Sequence, residues 1–204
     1  MPADFDLAKL APKDVYRLLT GVVVPRPIAL VTTVDHRGVV NAAPYSFFNA
    51  LSYDPCLVAL GIETLNNGEL KHTARNISRR GEFTVNIVDD ALAPAMNRCA
   101  ADYPDGISEL DRAGLTPVPA AKVGAPRIQE APVALECRRY LTLELGPRRT
   151  IVLGEVVWIA ARDGIVDPNT GRVDAAALDA VGRLSGPLYT RTRDTFPLER
   201  PSPA

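Results

Sequence analysis

Residues 24–52 read VPRPIALVTTVDHRGVVNAAPYSFFNALS, and this stretch decides the fold class. Ile28 to Val34 is rich in β-branched residues, which pack well on a pleated, half-buried surface. Asp35-His36-Arg37-Gly38 then supplies turn chemistry, and Val39-Val40-Asn41 resumes an extended pattern. The stretch therefore predicts a β-hairpin, approached through Pro25 and Pro27, which fix the backbone before the strand. Beyond it, Asn41 to Ser52 mixes small polar residues with three aromatics, Tyr45, Phe47 and Phe48, in an order too irregular for plain alternation. Backbone amides here, with Ser46 and Asn49, could hydrogen-bond the edge of a flat heteroaromatic ring while the aromatics wall it in. A core strand whose aromatics pack inward is the alternative.

Strand signals continue downstream. Cys56 to Ile62 (CLVALGI), after Asp54-Pro55, predicts a short strand buried on both faces. Phe83 to Val88 (FTVNIV) alternates in the strand manner. Longer strands are expected at Val133 to Leu145 and at Thr150 to Ala161, with Gly146-Pro147 and the arginines after it marking the turn. Helical signals are fewer and shorter. Lys71 to Arg80 places Ala74 and Ile77 on one face, with Gly81 where a C-terminal cap belongs. Asp89-Asp90 could start a helix through Cys99, limited by Pro94; Ser108 and Asp111 resemble a cap for a short helix that Gly114 ends; Asp174 to Ala180 is a further candidate. Many strands at short spacing, with helices inserted rather than alternating, predict a mainly β antiparallel barrel with short helical insertions. A doubly wound parallel sheet would need a helix after nearly every strand. The 204 residues suit a single domain over 1–195. From Phe196 onward, three prolines and no apolar periodicity read as an exposed tail, 196–204.

Composition excludes several function classes. With 23 Lys and Arg against 24 Asp and Glu, there is no basic excess of the kind a nucleic-acid binder carries, and none is expected as a partner. Cys56, Cys99 and Cys137 lie far apart with no C-x-x-C pair, which argues against a disulfide framework and a zinc ribbon. His36 and His72 are also distant, so no metal site is expected. The opening residues carry no basic stretch followed by an apolar run, and no segment is long and apolar enough to cross a bilayer. The expectation is a cytoplasmic protein without membrane contact. There is no G-x-G-x-x-G after a strand, no G-x-S-x-G and no H-E-x-x-H, and Gly68 to Thr73 (GELKHT) lacks the glycine that precedes a P-loop lysine. No catalytic side chain is nominated; difficult chemistry would be carried by a bound cofactor.

One more segment has chemical content: Lys71-His72-Thr73-Ala74-Arg75-Asn76-Ile77. A helix starting at His72 or Thr73 would point its first unpaired amides outward beside a lysine and a hydroxyl, with Thr73 and Asn76 on one face. Dipole, free N–H groups, hydroxyl and ammonium together suit a phosphate ester. The alternative is a solvated amphipathic helix with an ordinary cap.

Taken in order, R-P-I-A from Arg26, N-A-A-P-Y-S-F-F-N from Asn41, K-x-T-A-R-N-I from Lys71 and G-E-F-T-V-N-I-V from Gly81 resemble the flavin reductase-like proteins, the FMN-binding split barrels. Glu109, Ala113-Gly114-Leu115, Ala131-Pro132-Val133 through Glu136-Cys137, Gly154-Glu155-Val156 and Arg183-Leu184-Ser185-Gly186 with Tyr189 extend the likeness over most of the chain. The resemblance implies a six-stranded Greek-key split β-barrel, usually a homodimer, with FMN near the subunit interface and FAD as the other possible flavin. It implies that Ser46, Phe47, Phe48 and Asn49 line the isoalloxazine and ribityl portion. Lys71, Thr73 and Asn76 would hold the phosphate, and Arg183 would lie close to the flavin. Arg26 would be a second phosphate or ring partner, or a surface charge. Two departures are His72, where similar sequences often carry Asp, and Ser185, where glycine is frequent. The implied activity is hydride transfer from NADH or NADPH to flavin, with a flavin-dependent monooxygenase or another acceptor as partner. A flavin-binding electron carrier or sensor with little NAD(P)H activity, and a flavin-free binding barrel, are the rival readings. Trp158 reads as a core residue, or as part of an apolar face that pairs two copies.

Overall fold

The hairpin read from residues 28–41 is present in the computed structural model, which describes residues 2–65, 67–104 and 106–201. A short β1 (Arg26–Pro27) leads into β2 (Ala29–Val34), which pairs antiparallel with β3 (Val40–Tyr45). The Asp35 carboxylate organises the turn by accepting the backbone N–H groups of Arg37 and Val39, each at 2.8 Å. After a link of two residues, Ser46 and Phe47, the chain runs on as β4 (Phe48–Tyr53) and returns as β5 (Cys56–Glu63). Next come β6 (Glu82–Ile87), the short pair β7 (Pro117–Val118) and β8 (Arg127–Ile128), and the long hairpin β9 (Val133–Leu145) and β10 (Arg149–Ala161). Finally, β11 (Val181–Arg183) and β12 (Tyr189–Arg191) join β1 in a separate three-stranded sheet.

The main sheet is antiparallel throughout, in the order β3-β2-β6-β9-β10-β5-β4. Its two edge strands are consecutive in the chain, so the Ser46-Phe47 link ties the edges together and the sheet curls into a split barrel. The sheet has seven strands rather than the six implied by the resemblance. The run from 40 to 53 breaks at the link, and its halves pair with different neighbours, β3 with β2 and β4 with β5.

Strand periodicity divides the core in two. Ala29 and Val31 face the barrel interior with Phe48, Leu60, Phe83 and Val152, whereas Ile28 and Leu30 face an outer cluster with Leu92, Met96, Leu110 and Ile128. The expected double burial of the strand at 56–62 is corrected: Val58, Leu60 and Ile62 are buried, while Leu57, Ala59 and Gly61 between them are only partly so. The expected alternation at 83–88 is corrected in the opposite sense, with Phe83, Thr84, Val85 and Asn86 all fully buried. A loop covers their outer side. Thr84 donates its hydroxyl to the Ala125 carbonyl at 2.8 Å, and Asn86 accepts the Ile128 N–H at 2.8 Å. Glu136, without exposed surface, pins this loop by accepting the N–H groups of Ala121 (2.8 Å) and Lys122 (2.6 Å).

Five α-helices are present among the described residues. α1 (Pro12–Val22) has no counterpart in the sequence reading and corrects it. Its signals are Pro12 in the first turn and Val15, Leu18, Leu19 and Val22 at helical spacing, yet only Thr20 is buried. α2 (His72–Arg80) matches the expected span and stops at Gly81, whose φ of 71° is left-handed. α3 (Ala93–Arg98) is shorter than the expected 89–99 because Asp89 instead accepts the Leu92 N–H at 2.8 Å and bridges to Ala180. α4 (Glu109–Ala113) runs from Ser108 to Gly114, and α5 (Ala175–Leu178) is capped by the Asp174 carboxylate. No helix among the described residues is long and apolar enough to cross a membrane. Residues 196–201 are exposed and outside any helix or strand; 202–204 lie outside the described residues.

Trp158 is 43% exposed, with the Lys122 ammonium 5.5 Å from its ring, so its expected place in the core is corrected. Thr150, Val152 and Gly154 form the inward series of β10, and a register shift between Val156 and Trp158 takes the indole out of that phase.

Candidate functional site

One stretch of chain, residues 41–49, walls two cavities in succession. The first, of about 340 Å³, is lined by Ser46, Phe47, Phe48 and Asn49 on one side. Ala59 and Gly61 from β5, and Arg149 and Ile151 from the start of β10, form another wall. Leu19, Thr20 and Val23 at the end of α1 close it with Pro25, Arg26 and Pro27. Gly61 matters locally: its N–H donates to the Phe47 carbonyl at 2.7 Å, and a Cβ there would stand 3.0 Å from that of Phe47. The Phe47 ring carries the Arg149 guanidinium 4.7 Å from its centroid and meets the Tyr16 ring at 6.4 Å.

Arg26 is the main polar element of this cavity and is 7% exposed, so it is not the surface charge allowed for above. Its Nη1 donates to the carbonyls of Thr20 and Val23, both at 2.6 Å. Nη2 donates to the Leu184 carbonyl at 3.0 Å, and Nε to Ser46 Oγ at 3.4 Å. One guanidinium thus joins the C-terminal end of α1, the end of β11 and the β3–β4 link. Burial lowers its pKa, Tyr16 acts in the opposite sense, and the neighbouring Arg183 lowers it further. No carboxylate among the described residues lines the cavity.

The second cavity, of about 350 Å³, is lined by Asn41 and Tyr45 of β3, by Lys71, His72 and Thr73 at the start of α2, and by Glu109 and the segment 99–103. α2 begins at the N-cap residue Lys71 without a side-chain cap and with no acidic residue in its first turn. Its first amides have no partners within the helix. Thr73, 1% exposed, donates its hydroxyl to the Asn41 amide oxygen at 3.1 Å, and the Asn41 nitrogen donates to Glu109 Oε1 at 3.3 Å. Glu109 Oε2 accepts the Ala42 N–H at 2.8 Å. Burial raises the Glu109 pKa, against the Ala42 hydrogen bond and the nearby His72, which lower it. Burial pushes both the Tyr45 phenol and the Cys99 thiol up to about 12.

The structure therefore brings Ser46, Phe47, Phe48 and Asn49 together in one cavity, and Lys71 and Thr73 together in the next. Asn76 is placed elsewhere: its Nδ2 donates to Thr33 Oγ1 at 3.1 Å, and it lines neither cavity. Thr33 and Asn41 face each other across the β2–β3 ladder. Thr73 and Asn76 of α2 thus latch onto one cross-strand pair. Arg183 lies in the β11–β12 hairpin, over the Tyr189 ring at 4.5 Å, and donates to the Tyr189 hydroxyl and to the Gly186 carbonyl (2.5 Å). It neighbours Arg26 but lines neither cavity. Sequence reasoning missed Arg149, Gly61 and the α1 residues. A glycine inside a strand and an arginine doublet at a hairpin turn were the available signals.

Fold and site define a split barrel with a cationic, ring-sized cavity and, further along the same strand, the start of a helix whose N-cap residue makes no side-chain cap. Residues 21–185 match the flavin reductase like domain, and the chain belongs to that family. An uncharacterized protein of Deinococcus radiodurans is 45% identical over 202 residues, covering 96% of this chain and 88% of its own. Among solved structures, nitrilotriacetate monooxygenase component B from Bacillus cereus is 34% identical with a TM-score of 0.93, covering 97% of this chain and 99% of its own. The 2-nitrobenzoate 2-nitroreductase NbaA of Pseudomonas fluorescens is 37% identical with a TM-score of 0.89, covering 98% and 97% respectively.

Proposed function

We propose that the chain is a flavoprotein oxidoreductase that holds FMN and accepts a hydride onto it from NADH or NADPH. The observation that carries this reading is the continuity of residues 41–49 along both cavities, which makes a ring site and a phosphate site neighbours. The residues present fit the two ends of such a group. A ring-sized cavity with an aromatic wall and no carboxylate suits an electron-poor heteroaromatic ring, and Ser46, held by Arg26, and Asn49 supply polar edges. The α2 start, with the Lys71 ammonium and the backbone N–H groups of its first turn, suits a phosphate ester, and Thr73, bonded to Asn41, fixes that turn beside it. Asn76 braces α2 against β2, and Arg183 acts on the ring end through its neighbour Arg26.

When bound, FMN would supply the two-electron chemistry. The chain's residues bind, orient and exclude water, and no side chain is required as a proton shuttle. The oxidoreductase names of the Bacillus cereus and Pseudomonas fluorescens relatives support this class, and the former supports a flavin-dependent monooxygenase as acceptor. Leu19 and Val23, which line the first cavity, are exposed together with Val22 and Val24 beside them in the chain, an apolar surface that a second copy of the chain would cover in a homodimer. The protein would work in the cytoplasm.

The test compares FMN with riboflavin, which lacks the phosphate. Replacing Lys71 and Thr73 together by Ala should weaken FMN binding about ten- to a hundredfold, the range expected for losing charge-assisted hydrogen bonds. Riboflavin binding should not change. Equal losses for both ligands, or none for FMN, refute the phosphate assignment. Anaerobic NADH and NADPH should bleach the absorbance of the FMN-loaded protein; no bleaching with either refutes the reductase activity.

A further inference from the structure

We infer that the first cavity favours its ring in the reduced, anionic form and that Arg149 is a residue that sets this preference. The inference rests on the proposed flavin site and gives a role to a side chain of its wall that the sequence did not nominate. Among the described residues, two guanidinium groups and no Asp, Glu or His line the cavity. Arg26 directs its hydrogen bonds at three carbonyls and Ser46, so what it offers a ligand is chiefly its charge. In a buried position that charge is weakly screened. Arg183 adds a second positive charge close enough to disfavour the protonated Arg26.

Arg149 stands opposite, at the head of β10, with its guanidinium over the Phe47 ring. Its one carboxylate partner among the described residues is Glu63, at 3.9 Å, which is beyond hydrogen-bond distance and has a side chain 57% exposed. Exposed pairs of this kind are largely screened, so Arg149 remains a net positive charge toward the cavity. A cluster of like charges is relieved by an anion placed among them. A bound flavin would supply that anion: the hydride of a nicotinamide donor, two electrons and one proton together, would take its ring from neutral to singly negative. Arg26 joins three segments of the fold, so Arg149 is the residue whose charge can be changed alone.

The experiment is a dye-linked potentiometric titration of the FMN-loaded full chain against free FMN in the same buffer. Wild-type protein should hold FMN at a midpoint potential above that of the free flavin. Arg149→Gln should lose about tenfold of its preference for the reduced over the oxidised ligand, a fall of about 30 mV for a two-electron couple. Arg149→Lys should keep most of the wild-type value. Arg149→Gln with bound FMN at the wild-type potential overturns the role of Arg149 and leaves the proposed function standing. A wild-type potential at or below that of free FMN overturns the inference without any variant. A wild-type protein that binds no FMN overturns the proposed function and this inference with it.

Discussion

Gly154→Ala tests the packing that aims β10 and β5 at the first cavity. A Cβ built on Gly154 would stand 2.9 Å from Cε1 of Phe83, closer still to Cζ, and 3.3 Å from the Cys137 Cβ. Phe83 and Cys137 have no exposed surface, so neither can retreat into solvent. Overpacking of a closed core costs about 1–3 kcal/mol. Against this, Ala restricts the unfolded chain and recovers about 0.4–1 kcal/mol. The expected net loss is about 1–2 kcal/mol, or about 2–8 °C in Tm for a chain of this size. Phe83→Leu shortens the obstructing ring. In the double variant the new methyl occupies vacated space, and stability should exceed the sum of the single effects by about 1 kcal/mol. Thermal melts of the four proteins by circular dichroism measure this. The strain should also reach the cavity, because Val58 pairs with Gly154 and Gly61 with Ile151, so FMN affinity should fall in Gly154→Ala and recover in the double variant. An unchanged or raised Tm for Gly154→Ala, or strict additivity in the cycle, would refute the packing argument.

Two further predictions concern pH. Asp90 accepts hydrogen bonds from Arg191 (2.8 Å) and Arg193 (3.0 Å), and Asp179 from Arg193 (2.6 Å); these bonds hold both carboxyls below their ordinary value of 3.8. Their contribution to stability is complete above that value and is lost as pH falls through the depressed ones, so Asp90→Asn should flatten the acid limb of Tm against pH; an unaltered limb contradicts it. Glu109 has the opposite sign, since burial raises its pKa above the ordinary 4.5 and its contribution declines as pH rises through the raised value. The Tm of Glu109→Gln relative to wild type should therefore climb as pH increases past 4.5, and a constant difference would show that the carboxyl is not strained by burial.

What the sequence made legible was local chemistry. The β-branched run at 29–34, the long hairpin at 133–161 and the stops of α2 and α4 at left-handed Gly81 and Gly114 each follow from a few adjacent residues. What it concealed depends on who covers what. β6 is buried on both sides because a distant loop folds over it, and Trp158 is exposed because of a register shift; neither leaves a mark in the pattern of its own strand. α1 leaves Leu19 and Val22 exposed and buries Val15 and Leu18 only in part, so its periodicity serves neither core cluster. At the site, Ser46 to Asn49 and Lys71 with Thr73 were legible because the elements that carry them are continuous. Arg149 was not, because strand register alone brings it over Phe47.

The fate of Asn76 gives the K-x-T-A-R-N-I motif a second meaning. Read as a helix start, its polar pair three residues apart looks like two ligands for one anion. In the fold, both side chains are buried, and each bonds to one member of the Thr33–Asn41 cross-strand pair. Thr73 lines the cavity while also serving in this latch, whereas Asn76 serves the latch alone. The latch fixes the uncapped start of α2 against β3, and β3 runs without interruption into the link that carries Ser46 and Phe47. A ligand that reaches from one cavity to the other is held best when its two sites keep a constant separation, and a helix fastened only by apolar contacts could slide. Two hydrogen bonds to opposed residues of a hairpin remove that freedom, because satisfying both admits one register of helix on sheet. The polar residues that make the motif conspicuous thus fix the position of the helix start on the hairpin.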